Sequence, residues 1–464
     1  MAEELRKVGF SGRILDRSSA DFAAASRRFS AISEARARYI SFPKTPEDVS
    51  IAIVYASRAK LEIAVKCGGH HASGANSVED GLIIDLSELR GVALNKERTE
   101  VTIGGGCLWE DVYTFLRNDG LACIGGGVHN VGVGGHITGG GYGPLTQKYG
   151  MACDNVISAT VVLADGRILR ASDTENSDLL WGIKGGSSNF GVVVKLVLKT
   201  VPDPGPWVFR SIALSPSDLP AIIPRFVEHC NNNEEKSEDV VLAFLNFVRG
   251  PHNEPLTLLN FTLCGSVDKF SGLFKYFLEG LNPLGDTTTN YPSLVELSHA
   301  LDELLLAGPD RIATAGLPIV KISSKLIKGL WQRWLDYTNS NPDAVSTKIV
   351  FELHKTKRHR PEASCLRVTE TVHNMLLISA EHSEAKNDAV ALDWVHETAQ
   401  LVRQRQIKDW GKDLGVWANA CMLNETSEDC WGTNYPRLQK LKAKYDPTCV
   451  FNRFFPIEPH RSHI

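Results

Sequence analysis

Apolar runs in the first two hundred positions are short and β-branched, and each is bounded by glycine, proline or a polar turn. LEIAVK (61–66) and GLIIDL (81–86) are continuous apolar runs of strand length and predict short buried strands. GVALNKERTEVTIGG (91–105) sets two such runs about a polar tip at Asn95–Arg98 and predicts a hairpin. VISATVVLADGRILRAS (156–172) predicts a second hairpin turning at Asp165-Gly166, and FGVVVKLVLKTV (190–201) a long strand. Two helices interrupt the strands. In FPKTPEDVSIAIVYASRAK (42–60), Thr45 is placed as N-cap, Pro46 in the first turn and Asp48 as the closing residue of a capping box. LWEDVYTFLRNDG (108–120) is stopped by Gly120.

The pattern changes at PDPGPW (202–207), the strongest candidate boundary. Beyond it, strand-like runs (VVLAFLNFV at 240–248, LTLLNFTLCG at 256–265) alternate with helical ones (270–281, 328–338 and 388–404). The tail, 434–454, reads as a helix closed by Tyr445-Asp446-Pro447. A length of 464 residues favours two or more structural units over one core. The expected division is 1–205, 206–414 and a returning segment 415–464.

Composition narrows the function classes. A formal net charge of −4 carries no basic excess, so nucleic acid is not an expected partner. No apolar run is long enough for a membrane span. The first residues lack the apolar stretch of a secretory signal, and the ten cysteines show no close pairing. Both point to a cytoplasmic protein with reduced thiols. Oligomeric state is open.

The candidate chemistry lies in glycine clusters at 68–74, 104–106, 125–143 and 182–191. Such density costs chain entropy, and backbone without Cβ can approach a ligand closely and cradle an anion with its N–H groups. Neither a G-x-G-x-x-G register in 125–143 nor a P-loop is present. Cys67, His70 and His71 are metal-ligand types, but three neighbours on one tight loop rarely converge on one ion, and no metal is expected.

Four segments resemble a known family in the same order. VKCGGHHASG (65–74) resembles the R-x-G-G-H loop of FAD-linked oxidases of the vanillyl-alcohol-oxidase/PCMH superfamily. VGVGGHITGGGYG (131–143), WGIKGGSSNFGVVVKLVLK (181–199) and NYPRLQKLKAKYDPTCVF (434–451) resemble segments of its berberine-bridge-enzyme-like branch. The resemblance implies an α+β fold: a PCMH-type FAD-binding domain of two subdomains, core about 38–204, and a substrate domain with an antiparallel sheet flanked by helices. It implies FAD joined covalently to His70 through the 8α-methyl group, in a loop of Lys66, Cys67, Gly68, Gly69, His71 and Gly74. It further places Val128, Gly132, Val133, Gly135, His136, Gly140, Gly141, Tyr142, Gly191, Val193 and Tyr435 against the cofactor. Val128 stands where many relatives carry a second flavin-linking cysteine, so a single covalent link is implied. His129 and Asn130 replace the usual Pro-Thr, Cys449 the usual asparagine, and Phe455 a frequent glutamine. Val133 aligns with the position that in relatives lines the oxygen approach, where valine goes with fast reoxidation by O2.

The family's second domain roofs the flavin with a sheet whose inner face carries acid and base groups. STKIVFELHKTK (346–357) is the candidate strand. Alternation puts Lys348, Val350, Glu352 and His354 on one face and Ile349, Phe351 and Leu353 on the other. Glu352 and His354, about 6–7 Å apart along the strand, could share one substrate, whereas Lys348 lies about 13 Å from Glu352. The catalytic candidates are Glu352, His354 and Tyr435. The activity implied is two-electron oxidation of a small organic molecule, a secondary-metabolite intermediate, with O2 as acceptor and H2O2 as product. Two other readings stay open: a flavin-containing cyclase, and a non-catalytic binding protein on a degenerate flavin fold.

Overall fold

The computed structural model describes residues 1–464 other than 233–239, 303–307, 358–359, 368–371, 423 and 461–464. Among these residues the strands form three main sheets and one short pair.

The first sheet takes β1 (Arg13–Asp16), β2 (Tyr39–Phe42), β3 (Ile63–Lys66) and β4 (Leu82–Asp85) in the order β1-β2-β4-β3. LEIAVK and GLIIDL thus become β3 and β4, which pair in parallel. The crossover helix Pro46–Ala59 turns Val49, Ala52, Ile53 and Ala56 inward, the three- and four-residue spacing of one buried face. Thr45 caps it, its hydroxyl accepting from the Asp48 N–H at 3.1 Å. Asp48 does not close the expected box. Its carboxylate instead accepts from the Lys44 N–H and from the N–H and hydroxyl of Ser11, so it ties the chain's first residues to the helix.

The second sheet is antiparallel: β5 (Val92–Leu94), β6 (Glu100–Gly104), β8 (Val156–Val162), β9 (Ile168–Ser172) and β10 (Val192–Lys199), ordered β5-β6-β10-β8-β9. Both expected hairpins are present. β10 is central, and its inward residues are almost fully buried. β7 (Leu121–Ala122) and β11 (Val201–Pro202) form the short pair.

The third sheet has seven antiparallel strands: β12 (Trp207–Leu214), β13 (Val241–Arg249), β14 (Pro255–Cys264), β15 (Gly285–Tyr291), β16 (Arg311–Ile319), β17 (Lys348–Lys357) and β18 (Val372–His382). Their order is β15-β12-β14-β13-β17-β18-β16. The helices Leu219–Asn231, Ser324–Ser340 and Asp388–Trp410 cover one face and bury Phe226, Trp334 and Trp394. Ile349, Phe351 and Leu353 of β17 enter that core with no exposure.

The C-terminal helix Tyr435–Tyr445 returns to the first half. Its buried Lys442 ammonium donates to the Asn189 and Phe451 carbonyls and to Asp446, which satisfies a charge with no access to water.

Candidate active site

The other face of the seven-stranded sheet meets the first half of the chain, with the short helix Thr146–Tyr149 against β17 and the helix Leu294–Leu297 against β12. It closes over the glycine loops and encloses a cavity of about 400 Å3. Loop residues Gly68, Gly69, His70, His71, Val128, Gly132, Gly135, His136 and Tyr142 line one side. Lys348, Val350, Glu352 and His354 line the other, the full alternating face of β17.

The two glycine loops cross backbone on backbone. A Cβ at Gly68 would lie 2.4 Å from the Gly132 nitrogen, and one at Gly132 would lie 2.2 Å from the Gly68 nitrogen. His70 follows the crossing, and its ring stacks on Phe29 at 4.5 Å and 20°. Burial lowers its pKa to about 4, so the imidazole is neutral and keeps a ring-nitrogen lone pair.

His71 is committed elsewhere. Its Nε2–H donates to the Ala418 carbonyl at 2.8 Å, and Nδ1 accepts from the Ser73 hydroxyl at 2.5 Å. The first loop is thereby strapped to the C-terminal segment. His136 donates through Nε2 to the Tyr142 carbonyl at 3.1 Å, and burial lowers its pKa to about 4.

Across the cavity, the Tyr142 hydroxyl donates to Glu352 Oε2 at 2.7 Å, and His354 Nε2 lies 3.1 Å from the same oxygen. The rings of His354 and Trp417 pack against Tyr142 at 4.6 and 4.4 Å. Burial, with the Glu352 carboxylate beside it, holds the Tyr142 phenol well above its usual range, so Tyr142 is a fixed donor. His354 Nδ1 is buried without a partner among the described residues. A β-bulge follows at once: the pairing of β17 with β18 shifts between Glu352 and Thr356, and Lys355 takes φ of 44°.

This chain matches the family described as FAD binding domain over residues 37–172 and that described as berberine and berberine like over 405–457. It is 32% identical over 435 residues to the FAD-dependent monooxygenase tpcD of Cochliobolus heterostrophus, covering 89% of this chain and 82% of that one. The chain belongs to the berberine-bridge-enzyme-like branch of the vanillyl-alcohol-oxidase/PCMH superfamily. It is also 27% identical over 470 residues to the FAD-linked oxidoreductase pgmH of Aspergillus terreus, covering 95% and 92%. Among solved structures, BBE-like 1 of Physcomitrella patens has the same fold, with TM-score 0.84, 18% identity and 99% of each chain covered. The protein is an FAD-dependent oxidoreductase.

The site fits the cofactor of its family. His70 lines the cavity with a neutral imidazole, and a Cβ at Gly135 would meet only open space. Cys67 lines the cavity too, but its thiol points to the Cys107 carbonyl at 3.4 Å. Lys66 lies outside the wall, paired with Asp85 at 2.8 Å. Gly74, Gly140, Gly141 and Gly191 all hold positive φ (82°, 110°, 71° and 151°) and shape the loops without lining the cavity. Val193 is buried in β10. Val133 is fully buried, with its N–H donated to the Cys107 carbonyl, and is not a wall residue. Tyr435 opens the C-terminal helix, half-buried, and the fold does not bring it to the cavity.

Several wall residues escaped the sequence reading. Lys348 pairs with Glu381 at 2.5 Å, and Ser379 donates to the same oxygen at 2.9 Å. Burial pushes the Glu381 carboxyl above its ordinary value, and the Lys348 ammonium opposes that rise. Asn246 and Asn260 also line the cavity. Their signal was available: the tripeptide Leu-Asn-Phe occurs in both β13 and β14, each time setting one amide in an apolar strand. Trp417 and Asn419 enter from the C-terminal segment. Asn419 donates to the His136 carbonyl at 3.0 Å, and a Cβ at Gly139 would fall on its side chain.

Proposed function

We propose that this protein is an oxidase of a small organic alcohol or amine, a biosynthetic intermediate, with O2 as electron acceptor and FAD held by one covalent bond to His70. The observation that carries this reading is the Tyr142–Glu352–His354 chain in the same cavity wall system as His70. FAD, when bound, supplies the acceptor for two electrons from the substrate.

The chain's own groups supply the rest. Glu352 accepts the proton of the substrate O–H or N–H, on an oxygen already placed by Tyr142. His354 Nε2 lies beside the same oxygen, its ring packed on that of Tyr142. Val350, Leu377, Phe209 and Leu242 make much of the wall apolar, and Asn246 and Asn260 set amides among them, Asn246 opposite Val350 and Asn260 opposite Phe244. This supports a substrate with an apolar body that also carries hydrogen-bonding groups. The neutral state of His70 supports the covalent link, and Val128 in place of a cysteine supports its being single. The glycine cradle and β17 support the division into a flavin unit of 1–205 with 415–464 and a substrate unit of 206–414.

The test has two stages. Acid-precipitated protein should retain flavin absorbance on the peptide that contains His70, and release of flavin to the supernatant removes the covalent link. A panel of alcohols and amines is then mixed with the protein without O2. A substrate should bleach the flavin, and on admission of O2 one H2O2 should appear per turnover. Conversion without bleaching overturns the oxidase in favour of a cyclase. Label from 18O2 in the product makes it a monooxygenase.

A further inference from the structure

Outside the cavity, three segments meet at one edge: the start of the helix Trp109–Arg117, the second glycine loop, and the stretch 293–302 before β16. Backbone bonds clasp them. The Glu110 N–H donates to the His129 carbonyl at 3.0 Å, and the His129 N–H donates to the Ser298 carbonyl at 3.2 Å. The clasp gathers Glu110, His129 and His299 so that one ligand atom of each lies within 4.8 Å of the others.

The two imidazoles stack at 3.9 Å and 22°. Glu110 lies along one edge of the stack, 3.6 Å from His129 Nδ1 and 3.6 Å from His299 Nε2. Asp302 lies along the other. It accepts from His299 Nδ1–H at 2.8 Å and stands 3.3 Å from His129 Nε2. Asp302 therefore draws the His299 Nδ1 proton to its own side and leaves the His299 Nε2 lone pair facing Glu110. His129 Nδ1 is buried and has no hydrogen-bond partner among the described residues. The His299 lone pair and the unpartnered His129 Nδ1 both face the Glu110 carboxylate, and a cation among the three would join them. A carboxylate behind a histidine, fixing its tautomer, is the arrangement that supports metal-ligating imidazoles.

We propose that Glu110, His129 and His299 form a site for a divalent transition metal of the zinc class, with Asp302 as the positioning residue behind His299. Two neutral imidazoles and one carboxylate are a zinc donor set and leave one coordination position open. Glu110 and His299 are partly exposed, so their side chains are free to close to zinc–ligand distances of roughly 2.0–2.2 Å. The metal fastens the second glycine loop, where Val128 lines the cavity, to the stretch whose Leu297 and Ala300 line it too.

Zinc chloride titrated calorimetrically into chelator-treated full-length protein tests this. One saturable equivalent is expected, with a higher melting temperature in its presence. H129A and H299A should each lose the isotherm, and D302N should weaken it about 10- to 100-fold. Cobalt should give the visible bands of a low-coordinate site in the wild type and not in H299A. No saturable binding by the wild type overturns the proposal. So does undiminished binding by both histidine variants, which would mark cysteine thiols as the ligands. If circular dichroism finds either histidine variant unfolded, E110Q decides: its carboxylate is half-exposed, so an unchanged affinity overturns the site and a weakened one supports it.

Discussion

Gly68 and Gly132 meet with their backbones in contact, each occupying the space where the other's side chain would stand. The flavin loop and the second glycine loop can take their present courses only because both residues lack a Cβ. G68A or G132A forces backbone against backbone, which no rotamer change relieves. Either should cost about 3 kcal/mol, the upper range for overpacking. A urea titration checks it: the midpoint should fall with the slope unchanged.

His71 joins the first loop to Ala418. H71A removes one of two bonds at each group, since the Ala418 carbonyl keeps the Cys421 N–H at 3.4 Å and the Ser73 hydroxyl keeps the Ala75 N–H at 3.3 Å. The expected cost is about 1 kcal/mol, read as a lower melting temperature. Limited proteolysis should show earlier cleavage near 418, since the strap is lost.

Glu352 is the proposed proton acceptor. E352Q keeps the shape and the bond from Tyr142 but removes the basicity. The flavin reduction rate in anaerobic stopped flow should fall about 10²- to 10⁴-fold, with little change in substrate affinity. Y142F should fall less, because it removes one donor to the carboxylate and leaves the base.

His70, His71, His136 and His229 are each lowered from 6.5 to about 4 by burial. Their folded values lie below the unfolded ones, so between pH 6.5 and 4 the unfolded chain binds more protons. Stability from these groups is present above that window and lost as pH falls through it. Each contributes a slope approaching about 1.4 kcal/mol per pH unit. Urea midpoints at pH 7, 6 and 5 should decline in order. H229L, a change outside the cavity wall, should flatten the decline by one histidine's share.

The Lys348–Glu381 pair is buried in the wall. K348M strands the Glu381 carboxylate and should destabilise by about 3–5 kcal/mol, whereas K348M/E381L should recover most of the loss. A double-mutant cycle on chemical denaturation measures the coupling.

The elements that were legible in the sequence are those whose pattern is local. The hairpin at Asp165-Gly166, the Thr45 cap and the two-faced strand Lys348–Lys357 each follow from residues a few positions apart. The glycine loops were legible as loops because their composition has no other structural use. What stayed hidden depends on contacts between distant residues. Tyr142 meets Glu352 across 210 positions, Ser379 and Glu381 meet Lys348 from the neighbouring strand, and Asn419 reaches His136 across 283. Tyr435 aligns with its family motif, yet the helix it opens packs against the core and keeps it from the wall. The cluster of Glu110, His129 and His299 has no sequence signature, since its ligands come from three separate segments.

The period-two alternation of β17 has a consequence for descent as well as for chemistry. Residues 349, 351 and 353 answer to the helices behind the sheet, and residues 348, 350, 352 and 354 answer to whatever enters the cavity. Substitutions on the second set leave the first set's packing in place. Apart from Lys348, which is tied to Glu381, a lineage can therefore change its substrate one wall residue at a time, while the scaffold that folds the protein stays under separate selection.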